Sequence, residues 1–173
     1  MSHNLNNIKC ILFDVDGVLT NGDIIYTEKG VEVKCFHVQD GLGITLARLA
    51  GLKTGILTSR QSKAVDLRAE QLKIDVVSQG SLNKLPKYLE IIKELNLSDE
   101  EICYIGDDVL DLPVLSRVGF SVAVANARDE VKKQCDYITS AAGGQGAVRE
   151  VIDLILQHQK KFNAVIARLM NEG

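Results

Sequence analysis

Short apolar runs alternate with amphipathic stretches along most of this chain, and that rhythm narrows the folds open to it more than any other feature. The runs occupy residues 8–13, 54–57, 74–77, 102–105 and 121–125. Each is too short for a helix and almost continuously apolar, as a strand covered on both faces must be. The intervening segments carry apolar residues at three- and four-residue spacing, which predicts helices over 42–49 (closed by Gly51), 62–72, 84–95, 110–118 (closed by Gly119), a short 128–135, and 147–157 continuing towards Leu169. Strands alternating with helices imply right-handed crossovers. The expected fold is therefore α/β, a Rossmann-like doubly wound parallel sheet with helices on both faces. At 173 residues and 46% hydrophobic content, the chain suits a single domain over 1–173 with one core.

One stretch breaks the rhythm. Residues 24–26 and 31–36 flank the turn Thr27-Glu28-Lys29-Gly30, and the second arm alternates Val31, Val33 and Cys35 with Glu32, Lys34 and Phe36. This predicts a β-hairpin inserted at about 23–37, in place of any large cap domain. Two strands alone are marginal in water, so the hairpin needs the body of the domain or other subunits. A tail follows from about 143 to 173, headed by Gly143, Gly144 and Gly146, which read as plain flexibility.

Charge and composition exclude several functions. A net charge of −3 argues against a nucleic-acid backbone partner. Met1 to Asn7 is polar and has no signal-peptide core, and no apolar stretch reaches membrane-spanning length, so a cytoplasmic protein is expected. Cys10, Cys35, Cys103 and Cys135 are not spaced for zinc or a disulfide framework.

The chemistry lies at the strand ends, where open α/β sheets bind ligands. The first strand ends in Asp14-Val15-Asp16-Gly17; side chains two apart in an extended chain point to the same side. Two carboxylates that close need a cation or a shared proton. The second core strand ends in Thr58-Ser59-Arg60, the strand at 102–105 ends in Gly106-Asp107-Asp108 with Asp111 nearby, and Lys84 opens the preceding helix. Taken singly, each is an ordinary turn, loop or surface residue. As an ordered set they meet the needs of phosphoryl transfer through an aspartyl phosphate. That chemistry needs a nucleophilic carboxylate, Mg²⁺ on oxygen ligands, hydroxyl and backbone donors at a helix start for the phosphoryl oxygens (Thr58, Ser59), a lysine to offset charge (Lys84), and a second carboxylate, Asp16, to move the proton.

This pattern resembles the haloacid dehalogenase superfamily of phosphohydrolases, whose motifs match Asp14-Val15-Asp16-Gly17-Val18, Thr58 or Ser59, Lys84, and Gly106-Asp107-Asp108 with Asp111. The resemblance implies that Asp14 is the nucleophile and Asp16 the acid/base. Asp14, the Asp16 carbonyl and Asp107 would hold Mg²⁺, with Asp108 and Asp111 supporting the metal waters and the lysine. A nearer likeness, over nearly the full length, is to members that act on a phosphorylated eight-carbon sugar acid for lipopolysaccharide synthesis. It is carried by the hairpin, His37-Val38-Gln39-Asp40-Gly41-Leu42-Gly43, Gln79-Gly80 before Asn83-Lys84-Leu85, and the segment 143–150. It implies substrate contacts from His37, Val38, Gln39, Asp40, Gly41, Ser59, Arg60 and Arg68, together with Asp16 and Lys84. It also implies a homotetramer in which the hairpins assemble and the tail can reach a neighbouring site. Thr45, Ser59 and Gln145 depart from that pattern, standing where members carry arginine, glycine and arginine; the first and third remove positive charge. A nine-carbon, sialic-acid-type phosphate is the alternative substrate. The readings from other classes are a phosphoacceptor signalling domain and a non-catalytic assembly module.

Overall fold

A computed structural model describes residues 5–171. Its centre is β1 (Cys10–Phe13), every residue of which is buried. The hairpin strands β2 (Ile25–Tyr26) and β3 (Glu32–Val33) follow, then α1 (Val38–Leu49), β4 (Lys53–Leu57), α2 (Lys63–Leu72), β5 (Val76–Ser78), α3 (Lys84–Leu95), β6 (Ile102–Gly106), α4 (Leu112–Leu115), β7 (Phe120–Ala123), α5 (Asp129–Lys132), β8 (Tyr137–Ile138), α6 (Ala147–His158) and α7 (Phe162–Asn171). The main sheet runs β5-β4-β1-β6-β7-β8, and its strand pairs are all parallel.

This order places the site. The chain steps outward from β1 to β4 and β5, then crosses back to β6 on the other side. β1 therefore lies at the reversal of strand order, where a crevice opens beyond the carboxyl ends. Phe13 is in register with both Ile56 and Ile105, so Asp14 leaves the sheet level with the ends of β4 and β6. The Asp14 N–H still donates to the Ile105 carbonyl at 3.0 Å, which fixes the first carboxylate to the sheet ladder.

The helices cover the sheet through narrow apolar stripes. In α6 the buried residues are Ala147, Val148, Val151, Ile152, Ile155 and Leu156, the three- and four-residue repeat of a core-facing helix. Each fully buried Ile or Leu contributes about 1.5–3 kcal/mol by leaving water. α1 meets α6 closely: a Cβ on Gly43 would lie 3.0 Å from Arg149 Cδ. Glycine inside α1 thus serves helix packing.

Several expectations need correction. The sheet has a sixth strand, β8, too short for any periodic signal. α1 begins at Val38 rather than residue 42, so the segment 37–41 is a helix start. The helix expected over 110–118 is a 3₁₀ turn, Val109–Asp111, followed by the four residues of α4. α5 likewise keeps only Asp129–Lys132. The tail forms two helices, broken where Lys160 takes φ 56°. Gly143 and Gly144 are packing glycines rather than plain flexibility. A Cβ on Gly143 would lie 1.7 Å from the Gly17 carbonyl oxygen, and the Gly144 N–H donates to the Val18 carbonyl at 2.9 Å. The head of the tail is pressed against the loop that carries the first motif.

Candidate active site

Lys84 is almost completely buried in the molecule's central crevice, its side chain 1% exposed. It lies at the first position of α3, and its ammonium is 2.7 Å from Asp14 Oδ2 and 2.6 Å from Asp111 Oδ1. It also donates to the Tyr104 hydroxyl at 3.2 Å, and Tyr104 in turn donates to Asp111 Oδ1 at 2.5 Å. Burial alone would lower the lysine's pKa; the Asp14 and Asp111 carboxylates outweigh it and raise it, so the ammonium is kept charged. The other oxygen of Asp111 accepts the backbone N–H groups of Asp107 at 2.9 Å and Asp108 at 3.2 Å. Asp111 thereby shapes the turn that leaves β6. A Cβ on Gly106 would meet its carboxyl carbon at 2.6 Å, which explains the glycine there.

Asp107 faces Asp14 across the crevice. Carboxylate oxygens of Asp14, Asp107 and Asp111 lie within 4.8 Å of one another. Burial, then the neighbouring Asp111 carboxylate, pushes Asp14 up to about 6 despite Lys84. Burial, then Asp14, Asp111 and Asp108, pushes Asp107 up to about 8. Acidic groups held together at such cost are relieved by a hard divalent cation, whose charge reverses the direction of both shifts. Asp111 is fully engaged by Lys84, Tyr104 and two N–H groups, so the donor pair that fits Mg²⁺ is Asp14 with Asp107. Gly17 permits the approach, since a Cβ there would lie 2.2 Å from Asp107 Oδ2. Asp108 stands at the rim, accepting from the Val109 N–H at 2.6 Å and capping the 3₁₀ turn.

Above this floor is an open cleft of about 340 Å³, lined by Asp14, Asp16, Thr58, Ser59, Arg60, Asp107 and Asp108 among others. Thr58 is buried, and the Ser59 hydroxyl is buried with no hydrogen-bond partner. Both were expected at a helix start. They lie instead on the loop between β4 and α2, and Ser62 is the N-cap residue. Asp16 is held from the hairpin side by an ion pair with Lys34, and Arg60 Nε stands 3.5 Å from its Oδ2.

The structure thus brings together Asp14, Asp16, Thr58, Ser59, Arg60, Lys84, Asp107, Asp108 and Asp111. His37, Asp40, Gly41 and Arg68 are elsewhere in the same chain, lining a small apolar pocket with Phe36 and Leu72. Asp40 faces the first turn of α6 and accepts the Arg149 N–H at 2.9 Å; burial raises its pKa, and the backbone donors oppose the rise. Arg68 lies over the Phe36 ring at 5.7 Å, and a Cβ on Gly41 would meet its guanidinium at 2.3 Å. Val38 and Gln39 are exposed at the start of α1. Thr45 donates to the Gly41 carbonyl within α1 at 3.1 Å.

Three contributors escaped the sequence. Tyr104 looks like one more core residue in an apolar strand. Asn126 donates to the Gly17 carbonyl at 3.0 Å and accepts the Gly143 N–H at 2.6 Å, tying the first motif to the tail. Lys34 appeared only as the polar half of a hairpin alternation. A lone polar group in a fully apolar strand was the one available signal, and only for Tyr104.

Comparison with known proteins agrees with this geometry. Residues 57–152 match the family model described as haloacid dehalogenase-like hydrolase. The chain is 43% identical over 157 residues to the 3-deoxy-D-manno-octulosonate 8-phosphate phosphatase of Escherichia coli K12, covering 91% of this chain and 84% of that one. Among solved structures, the phosphatase of that name from Moraxella catarrhalis, in complex with magnesium, phosphate and KDO, is 42% identical with a TM-score of 0.93, covering 96% of this chain and 95% of that one. The one from Yersinia pestis is 41% identical with a TM-score of 0.91, covering 92% and 86%.

Proposed function

The chain belongs to the haloacid dehalogenase-like hydrolases, and from that premise we propose that it is a Mg²⁺-dependent phosphatase releasing phosphate from 3-deoxy-D-manno-octulosonate 8-phosphate, with a product that feeds lipopolysaccharide synthesis. The observation that carries the chemistry is the convergence of Asp14, Asp107 and Lys84 from three separate elements on one crevice. Asp14, Asp107 and the main-chain carbonyl of Asp16 would hold the cation. Bound there, Mg²⁺ supplies charge that lets a carboxylate approach a phosphate dianion.

The residues divide the remaining work. An Asp14 oxygen bonds to phosphorus as the bond from phosphorus to the sugar oxygen breaks, and Asp16 gives its proton to that oxygen. Water then attacks phosphorus of the aspartyl phosphate while Asp16 takes back a proton; phosphate leaves and Asp14 is restored. Thr58 and the unpartnered Ser59 hydroxyl hold phosphoryl oxygens, and Lys84 offsets the charge on Asp14. Asp108 and Asp111 keep the metal side and the lysine in place. Arg60, at the mouth, suits the sugar-acid carboxylate.

The hairpin exposes Ile24, Ile25, Tyr26, Val31 and Val33, which supports a homotetramer assembled through it. In that assembly the exposed part of the segment 37–41 and the half-buried Arg68 are available to the sugar-acid end of a substrate held by a neighbouring copy. The four free thiols favour the cytoplasm as the site of action. Among the described residues no helix is long and apolar enough to cross a membrane.

The test is phosphate release from the eight-carbon substrate and from a nine-carbon sugar-acid 9-phosphate, each with and without Mg²⁺. The eight-carbon compound should be the better substrate, turnover should need the metal, and Asp14→Asn should lower kcat by on the order of 10⁴ or more. Metal-independent turnover, or an active Asp14→Asn enzyme, would refute the mechanism; preference for the nine-carbon acid would refute the substrate.

A further inference from the structure

The Asp16 carboxylate is fastened chiefly from the hairpin, with Arg60 of the β4–α2 loop 3.5 Å from its second oxygen. The Lys34 ammonium, from the hairpin arm just beyond β3, forms an ion pair with Asp16 Oδ1, and the Lys34 side chain is 1% exposed. The same ammonium lies 3.5 Å from Glu32 Oε1. Glu32 accepts from Arg60 Nη2 at 2.8 Å, and that nitrogen is also 3.4 Å from the Tyr26 hydroxyl. The alternation of the hairpin explains the arrangement. Glu32 and Lys34 face inward on the site, while Val31 and Val33 face out and are exposed.

The two oxygens of Asp16 are treated differently. Oδ1 is taken by Lys34. Oδ2 is buried and has no hydrogen-bond partner, with Arg60 Nε at 3.5 Å facing it. A buried lysine fixed to a carboxylate is costly to desolvate and therefore holds a defined geometry only where the pair is well formed. We propose that Lys34 is a positioning residue for the phosphatase reaction: the hairpin clamps one oxygen of Asp16 so that the other faces the sugar oxygen in the cleft. Glu32 sets the clamp by bridging the two cations, with one oxygen 2.8 Å from Arg60 Nη2 and 3.5 Å from the Lys34 ammonium. The inference rests on Asp16 as the proton-passing group, and the experiment separates the two ideas.

Lys34→Met, Lys34→Arg and Asp16→Asn are compared with the unaltered enzyme, using 3-deoxy-D-manno-octulosonate 8-phosphate and p-nitrophenyl phosphate. The first has a poor alkoxide leaving group; the second leaves without needing a proton. A positioned acid–base group contributes about 10²–10⁴-fold, so Lys34→Met should lose about 10–100-fold in kcat on the sugar phosphate with KM within about threefold. The loss should be smaller on the aryl phosphate, and Lys34→Arg should recover part of it. A merely structural lysine would slow both substrates alike. An inactive Asp16→Asn with Lys34→Met at wild-type kcat, or with equal losses on both substrates and no recovery in Lys34→Arg, overturns the clamp and leaves the phosphatase reading standing. A fully active Asp16→Asn overturns both. If Lys34→Met does not fold, Lys34→Arg decides: a kcat loss confined to the sugar phosphate supports the clamp, and unchanged kcat on both substrates overturns it.

Discussion

The floor of the cleft and its hairpin rim both present charged groups to the same substrate, yet they are stabilised in opposite ways. On the floor, Lys84, Asp111 and Tyr104 are all buried, and each satisfies the others. Their positions are fixed by the sheet, because Asp14, Lys84 and Asp107 are anchored at the ends of β1, the start of α3 and the end of β6. At the rim, the strands β2 and β3 have two residues each and pair only with one another. Little apolar surface holds the hairpin to its own domain; its polar face is fastened through Lys34, Glu32 and Arg60. The difference teaches where rigidity comes from. A site can have a rigid base made by the core and a second wall whose placement depends on charge pairs.

Breaking the floor should have the largest effect. Lys84→Met keeps the volume but leaves Asp14 and Asp111 without their shared cation. Unpairing buried charge costs about 3–5 kcal/mol, to be read by urea denaturation without metal. Phosphate release should fall to background, and Mg²⁺ should restore part of the stability but not the activity. A stability loss under about 1 kcal/mol would mean that the floor is held by packing rather than by pairing.

Glycines sharpen the contrast next. Gly143→Ala places a methyl against the Gly17 carbonyl and within 2.9 Å of the Val18 nitrogen. Overpacking of this kind costs about 1–3 kcal/mol, and it should lower kcat because the displaced loop carries Asp16. Gly30→Ala, in the hairpin turn at φ 74° with nothing within 4 Å, should cost about 1 kcal/mol from backbone strain alone. Its kcat should be unchanged. Equal kcat losses in the two variants would erase the distinction between floor and rim.

The same contrast governs what could be read from the sequence. Asp14, Asp16, Lys84 and Asp107 were legible because strand ends converge in any doubly wound sheet, and residue type then supplies the chemistry. The central strands were legible because continuous apolar runs have few alternatives. What failed was set by tertiary contact. Tyr104 carries a hydrogen bond that its apolar neighbours conceal. Lys34 is buried only because the hairpin folds back on Asp16. Gly143 and Gly144 look like a flexible pair until the first-motif loop is packed against them. The helix was expected to start only at residue 42 because Gly41 is a poor helix former, yet Gly41 and Gly43 are required by Arg68 and by the α1–α6 crossing.

Proton linkage gives a smaller, graded test of the floor. Asp107, at about 8, and Asp14, at about 6, both lie above the 3.8 of a free aspartate. A carboxyl whose folded pKa is raised stabilises the fold below its unfolded value and loses that contribution as pH rises through the folded one. Metal-free protein should therefore lose stability between about pH 4 and pH 8, the two groups titrating as a pair. Mg²⁺ binds the ionised pair and releases protons, so the rise in Tm on adding it should be greater at pH 8 than at pH 5. A metal-induced shift that is the same at both values would remove Asp107 and Asp14 as the ligands.

The rim should yield the smallest change in the stability of a single chain and the clearest change in assembly. Ile25 is 43% exposed and Val31 60% exposed, so replacing either by aspartate removes little contact within the domain. Surface substitutions of this kind usually shift stability by no more than about 0.5 kcal/mol. If hairpins from several copies pack together, however, a carboxylate buried at their meeting point is strongly unfavourable, and sedimentation should show a shift from tetramer towards smaller species. Under the proposed homotetramer, activity would follow assembly rather than stability: kcat should fall on dissociation because neighbouring hairpins would steady the Lys34–Asp16 pair that a single chain already forms. A variant that stays tetrameric, or that dissociates with kcat intact, would show that the rim is as self-sufficient as the floor.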